Sequence, residues 1–329
     1  MKVSGVCRKT KINLARLGYH SNHQRNKPMK IGYPCINETL PCSSSTTFRL
    51  ASYSEERLIQ AVTNNLDCLQ QILAFNVAHN LLFFRMSSDL VPFASHAVNT
   101  FNWQEYFKPT LEKIGNYIKA HNIRISMHPD QFVVINSPTN NIVQNSFQEL
   151  EYQCAVMDLM GLDKTAKLQI HAGGVYGDKP TAMSRFISAY ALLPDYIKAR
   201  LVIENDDRLY SLADCLIIHE ETGIPILFDN FHHECLNNGE SMAEALRLAA
   251  QTWQPADGIL MMDYSSQAPG ERKGKHTTSI KLELFREFLE QLQGLDVDIM
   301  LEIKDKEASA LAAVALLKEL GYIQPLALK

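Results

Sequence analysis

Apolar and polar positions follow one repeating pattern along most of the chain. A short β-branched or apolar run is followed by a stretch with apolar residues at helical spacing, and from residue 30 onward this unit recurs eight times. Strands are predicted at 30–37 (KIGYPCIN), 81–88 (LLFFRMSS), 124–129 (RISMHP), 167–174 (KLQIHAGG), 200–207 (RLVIENDD), 225–231 (PILFDNF), 258–266 (GILMMDYSS) and 296–305 (DVDIMLEIKD). The first helix is the plainest, with Ser54 as N-cap, Glu55 and Glu56 in the first turn, then Leu58, Val62, Leu66, Leu69 and Leu73. Further helical patterns run over 104–120, 141–160, 181–192, 211–222, 240–250, 281–292 and 307–320. Eight βα units without an interdomain linker predict an α/β fold of one domain, a closed (β/α)8 TIM barrel over 30–322. A basic N-terminal extension (1–29) and a short C-terminal tail (323–329) flank it.

Composition narrows the class. The chain has 329 residues, of which 46% are hydrophobic, enough for one large core. Mean hydropathy is −0.14 and no apolar run approaches the ~18 residues of a membrane span. The seven cysteines (Cys7, Cys35, Cys42, Cys68, Cys154, Cys215 and Cys235) are odd in number and lack any CxxC pair, which reads as reduced thiols in a cytoplasmic protein. Net charge is −4, yet the first 37 residues hold eight Lys/Arg and no Asp or Glu. That extension reads as a flexible solubilising tail, with a DNA-binding arm or a natural start at Met29 as the alternatives.

In such a barrel the chemistry sits at the C-terminal ends of the strands. The predicted strands end in Asn37, Ser87–Asp89, His128, His171, Glu204, Asp229 with His232, Asp263 and Glu302. Six successive strands, the third to the eighth, thus each end in a residue able to bind a metal. A lone His at a strand end is more often satisfied by a carbonyl; six such residues in register on one rim point to a metal centre. Histidine with carboxylate and no cysteine suits Zn²⁺ or Mn²⁺ and disfavours a structural zinc knot. Four acids on one rim would repel one another unless cations compensate. Asp229 ends the sixth strand while His232 is placed on the turn beyond it, so the two need not share an ion. His233, adjacent to His232, is expected to support the loop.

The strings GYPCIN, RMSSDLVPFASH, SMHPDQFVVINSP, QIHAGGVYGDK, VIENDDR, FDNFHH, DYSSQ and LEIKDKE, in this order and spacing, resemble the UV damage endonuclease family. That family lies within the barrel superfamily of endonuclease IV and the sugar isomerases. The resemblance covers the chain from about Lys30 to the last helix. It implies a DNA repair enzyme that nicks the backbone immediately 5′ of cyclobutane pyrimidine dimers and 6-4 photoproducts. It further implies up to three divalent ions, manganese first, with zinc or magnesium as alternatives. Carried over residue by residue, the ligands are His128, His171, Glu204, Asp229, His232, Asp263, His276 and Glu302, with His96 as a further member and Glu204 as the bridging carboxylate. His276, in GKHTTS, comes from the resemblance alone. Tyr33 and the pair Gln131–Phe132 are similar to the family's lesion-probing set, and Asn37 falls beside them. At the seventh strand the endonuclease IV branch has a histidine where this chain has Asp263, an oxygen ligand that tilts the site towards manganese.

The mechanism expected is metal-assisted phosphodiester hydrolysis, in which ions held by Glu204 and Glu302 generate hydroxide at neutral pH and stabilise the leaving oxygen. Lys304 or Lys306 neutralises charge in the transition state. Arg49, Arg272, Lys273 and Lys275 grip phosphates. Expected partners are double-stranded DNA carrying UV lesions, with no membrane and no obligate protein partner, for a monomer in the cytoplasm at the nucleoid. Two rivals remain: a metal-dependent sugar isomerase or epimerase on the same barrel, and a non-catalytic damage-binding protein.

Overall fold

A computed structural model describes residues 28–323. Eight parallel strands close into a barrel in chain order: β1 (Ile31–Pro34), β2 (Phe83–Met86), β3 (Arg124–Met127), β4 (Lys167–His171), β5 (Leu201–Glu204), β6 (Ile226–Asp229), β7 (Leu260–Tyr264) and β8 (Val297–Leu301). Closure is made by β1 against β8, with Ile31 opposite Ile299 and Gly32 opposite Met300. Gly32 is required there, because a Cβ would lie 2.1 Å from the Phe83 carbonyl oxygen.

The outer layer comprises α1 (Glu55–Ala78), α2 (Trp103–Ala120), α3 (Asn140–Leu159), α4 (Lys179–Leu192), α6 (Leu212–Thr222), α8 (Met242–Gln251), α9 (Leu282–Gln291) and α10 (Glu307–Glu319). Ser54 caps α1 by accepting from the Arg57 N–H, as its sequence pattern predicts. Two short helices were not predicted: α5 (Asp195–Lys198) and α7 (Asn230–Cys235). The stretch beyond β6 is therefore helix rather than open turn, and Asp229 is its N-cap, accepting from the His232 N–H at 2.7 Å.

Side chains alternate between two cores. Outward residues pack beneath the helices, whereas Phe83, Val202, Leu227, Met261 and Met300 fill the barrel interior. Two residues further along the same strands come Arg85, Glu204, Asp229, Asp263 and Glu302. The polar layer is thus the next inward layer above the apolar plug.

Two expectations change. Cys42 and Cys68 are joined in a disulfide, with Cα atoms 5.7 Å apart, so the reading of all cysteines as reduced thiols is corrected. The long β1–α1 loop folds back on α1, a proximity that a separation of 26 residues does not reveal. Met29 and Ile323 both pack in the core, so the packed unit reaches one residue past each predicted boundary. Residues 1–27, with Cys7, and residues 324–329 lie outside the described residues. Among the described residues no helix is long and apolar enough to cross a membrane.

Candidate metal centre at the mouth of the barrel

Strand alternation carries Glu204, Asp229 and Asp263 into the barrel mouth, each with at most 1% of its surface exposed. Register sets them side by side: His171 lies opposite Glu204 across β4 and β5, and Asp229 opposite Asp263 across β6 and β7. Three overlapping ligand groups result: His128, His171 and Glu204; Glu204, Asp229 and His232; Asp229, Asp263 and Glu302. Glu204 belongs to the first two, and its oxygens divide between them. Oε2 lies 3.6 Å from Nε2 of both His128 and His171, while Oε1 lies 3.1 Å from Nδ1 of His232.

The donor atoms fit a divalent cation. A separation of 3.6 Å is too long for a hydrogen bond. It is close to the roughly 3.4–3.6 Å that two donors keep when each is ~2.1–2.2 Å from one ion at a tetrahedral angle. Asp229 Oδ2 is buried with no hydrogen-bond partner, an orphan acceptor in the middle of the cluster. Backbone carbonyls orient two of the rings. Nδ1 of His232 donates to the Asn205 carbonyl at 2.9 Å and Nδ1 of His276 to the Glu302 carbonyl at 2.9 Å, so in the neutral form of either ring Nε2 is the nitrogen that can ligate.

Electrostatics follow from burial and from these neighbours. Burial holds the His128 ring down at about 4, so it is neutral and ready to ligate. Burial alone would raise the Glu204 carboxyl, but His171, His232 and His128 hold it below the usual carboxylate range. Burial pushes Asp229 up to about 6. Burial would lower His232, yet Asp229 and Glu204 beside it push it up to about 12, so without other cations its proton balances the acids.

Two residues that sequence reasoning did not single out are central. Arg85, 2% exposed, reaches Asp263 Oδ1 at 2.6 Å and Oδ2 at 2.8 Å from one nitrogen and contacts Glu302 from the other. Gln169 donates to Glu204 Oε2 at 2.6 Å and to Asp263 Oδ2 at 2.8 Å. An arginine inside the apolar run LLFFRM was the available signal, since a buried cation there demands acidic partners.

Other predicted residues fall into two sets. A cleft of about 610 Å³ is lined by His128, Gln131, His171, His276, Glu302, Lys304 and Lys306. Phe132, 52% exposed, stands next to Gln131 on the β3–α3 loop. Arg49, Arg272 and Lys273 are exposed, and Lys275 is paired with Glu271 at 2.7 Å. His96 is exposed, accepts from the Val98 N–H at 3.0 Å, and belongs to none of the three groups. His276 lies outside them too, with its ring 6.1 Å from that of His232. His233 is buried against Phe228.

Tyr33 and Asn37 are corrected. Gly32 and Pro34 of β1 face inward, so Tyr33 points outward under α1, fully buried, where its hydroxyl donates to Asn76 Oδ1 at 2.7 Å. Asn37, 4% exposed, donates to that hydroxyl at 2.8 Å and accepts the Thr39 and Leu40 N–H groups at 3.0 Å. Neither offers a surface to a DNA base; both brace the first βα loop.

Fold and site together define a barrel enzyme with a candidate metal centre. The sequence profile of the family described as UV-endonuclease UvdE matches residues 29–328, nearly the whole chain. The UV DNA damage endonuclease of Clostridium perfringens (strain 13 / Type A) is 40% identical over 295 residues, covering 89% of this chain and 72% of the relative. The crystal structure of SacUVDE superposes with a TM-score of 0.86 at 47% identity, covering 90% of this chain and 100% of that one. Endonuclease IV from Thermus thermophilus is 14% identical with a TM-score of 0.52 over 76% of this chain and 92% of that one, and shows the fold alone. The chain belongs to the UV-endonuclease family, and it is an endonuclease.

Proposed function

We propose that this endonuclease acts on duplex DNA carrying UV lesions and hydrolyses the phosphodiester immediately 5′ of cyclobutane pyrimidine dimers and 6-4 photoproducts, in a divalent-metal-dependent reaction. The observation that carries this is the shared position of Glu204 between two ligand groups at the barrel mouth, beside an exposed Gln131–Phe132 pair. Divalent ions held by His128, His171, Glu204, Asp229 and His232 would supply Lewis-acid stabilisation of the phosphorane charge and activation of a water. Three histidines and two carboxylates suit Mn²⁺ or Zn²⁺, with Mn²⁺ the ion we propose and Mg²⁺ the harder alternative.

The chain's own residues do the rest. Phe132 and Gln131 enter the stack at the lesion, where unstacking costs less than at a normal step, and Phe132 replaces lost stacking worth roughly 1–3 kcal/mol per base. Lys304, exposed beside Glu302, neutralises charge on the phosphate under attack. Arg272 and Lys273 hold the backbone further out, so binding weakens steeply with salt. His276 and Glu302 complete the wall on which the scissile phosphate is oriented. The partner is damaged double-stranded DNA, bound by a monomer in the cytoplasm at the nucleoid without an obligate protein partner.

The test uses an end-labelled duplex with one defined pyrimidine dimer and Mn²⁺. The expected product is a single nick at the 5′ side of the dimer, with a 3′-hydroxyl and a 5′-phosphate. Equal cleavage of undamaged duplex, or a nick elsewhere, overturns the reading. Turnover of a free sugar would favour the isomerase rival, which has no use for an exposed Phe132.

A further inference from the structure

The third ligand group differs from the other two because a guanidinium, a charge that no proton loss can remove, already stands in it. Asp263 presents both oxygens to Arg85, at 2.6 and 2.8 Å, and its Oδ2 also takes the Gln169 amide at 2.8 Å. Glu302 Oε1 is taken by the second guanidinium nitrogen. Asp263 therefore has no oxygen that is not already facing a donor. The first two groups hold no arginine or lysine; between their acids stand only histidines. Arg85 is buried and inward on β2, in the same layer as the acids, so it cannot swing out without crossing packed side chains. Its fixed charge, close against two carboxylates in a region shielded from water, meets much of the need for compensation that four clustered acids create.

We infer that Arg85 takes the place of a third metal ion, so that Asp263 is a counter-ion rather than a ligand and the site binds two divalent ions, at the groups sharing Glu204. Arg85 is a positioning residue: it holds Asp263 and Glu302 apart from the ions and fixes the far wall of the site. Two dications and one guanidinium already outweigh four carboxylates, leaving a modest positive excess to receive a phosphate; a third dication would meet Arg85 at close range and be repelled. This rests on the metal-dependent reading above and deepens it.

The decisive measurement is stoichiometry, independent of nicking. Full-length protein is stripped with EDTA, titrated with MnCl2, and free Mn²⁺ is counted by its EPR signal, with bound metal checked by elemental analysis after desalting. Wild type is expected to take up two tight equivalents per chain, and Arg85→Lys, which keeps the charge, also two. Arg85→Met frees the oxygens of Asp263 and Glu302, and is expected to take up a third. Three tight equivalents in wild type overturn the inference while leaving metal-dependent catalysis intact. No uptake at all overturns both. If Arg85→Met fails to fold, the wild-type count still decides.

Discussion

Gln169 Nε2 lies 2.6 Å from Glu204 Oε2, so the carboxylate shared by two ligand groups is held in place by an amide on the neighbouring strand. The same amide reaches Asp263 at 2.8 Å and so ties three strands together across the barrel. Removing such a support around a metal ligand typically costs 10–100-fold in affinity. Gln169→Leu, which keeps most of the volume, is expected to weaken Mn²⁺ binding by about 10–100-fold with the fold preserved by circular dichroism. Unchanged Mn²⁺ affinity would mean that Glu204 needs no such support.

The lesion contact proposed for Phe132 can be tested apart from stability. It is 52% exposed, and surface substitutions away from special features usually fall within about ±0.5 kcal/mol. Phe132→Ala is expected to weaken binding to dimer-containing duplex by roughly 1–3 kcal/mol, about 5–150-fold, with melting temperature little changed. Fluorescence anisotropy on damaged and undamaged duplexes checks this. Equal weakening on both duplexes would assign Phe132 to general backbone contact instead.

Tyr33 makes the opposite prediction. Its hydroxyl accepts from Asn37 and donates to Asn76 inside the wall, and removing it leaves buried amide groups unsatisfied. Tyr33→Phe is expected to cost about 1–3 kcal/mol in urea unfolding, with lesion affinity retained by the folded fraction. Lost lesion affinity at full stability would restore Tyr33 to the binding surface.

These residues also mark what could be read from sequence. Glu204, Asp229 and Asp263 were legible because the barrel fixes where strands end and which faces turn inward. Tyr33 was misplaced because its string resembles a probing motif, although its parity with inward Gly32 and Pro34 already turned it towards the helices. Arg85 and Gln169 lay unread inside runs of apolar residues, where their role depends on partners from β5, β7 and β8 that only the closed barrel brings within reach. The Cys42–Cys68 bridge was invisible for the same reason: it depends on where a long loop lands.

That bridge can be measured. It closes a loop of 26 residues, and in the chain-entropy description such a link stabilises by about 3–4 kcal/mol. Adding a phosphine reductant is expected to lower the urea midpoint accordingly, and Cys42→Ser is expected to show the lowered midpoint with or without reductant. An identical midpoint in both redox states of wild type would show that the bridge contributes nothing.

Glu204 provides the most direct test of the metal centre. On a duplex with one pyrimidine dimer and Mn²⁺, Glu204→Gln is expected to nick at least about 10³-fold more slowly, a loss of roughly 4 kcal/mol in transition-state stabilisation. Anisotropy should still read lesion affinity close to that of wild type. If Glu204→Gln nicks at the wild-type rate, or wild type nicks undiminished in excess EDTA, the barrel mouth is not the metal-dependent site of cleavage.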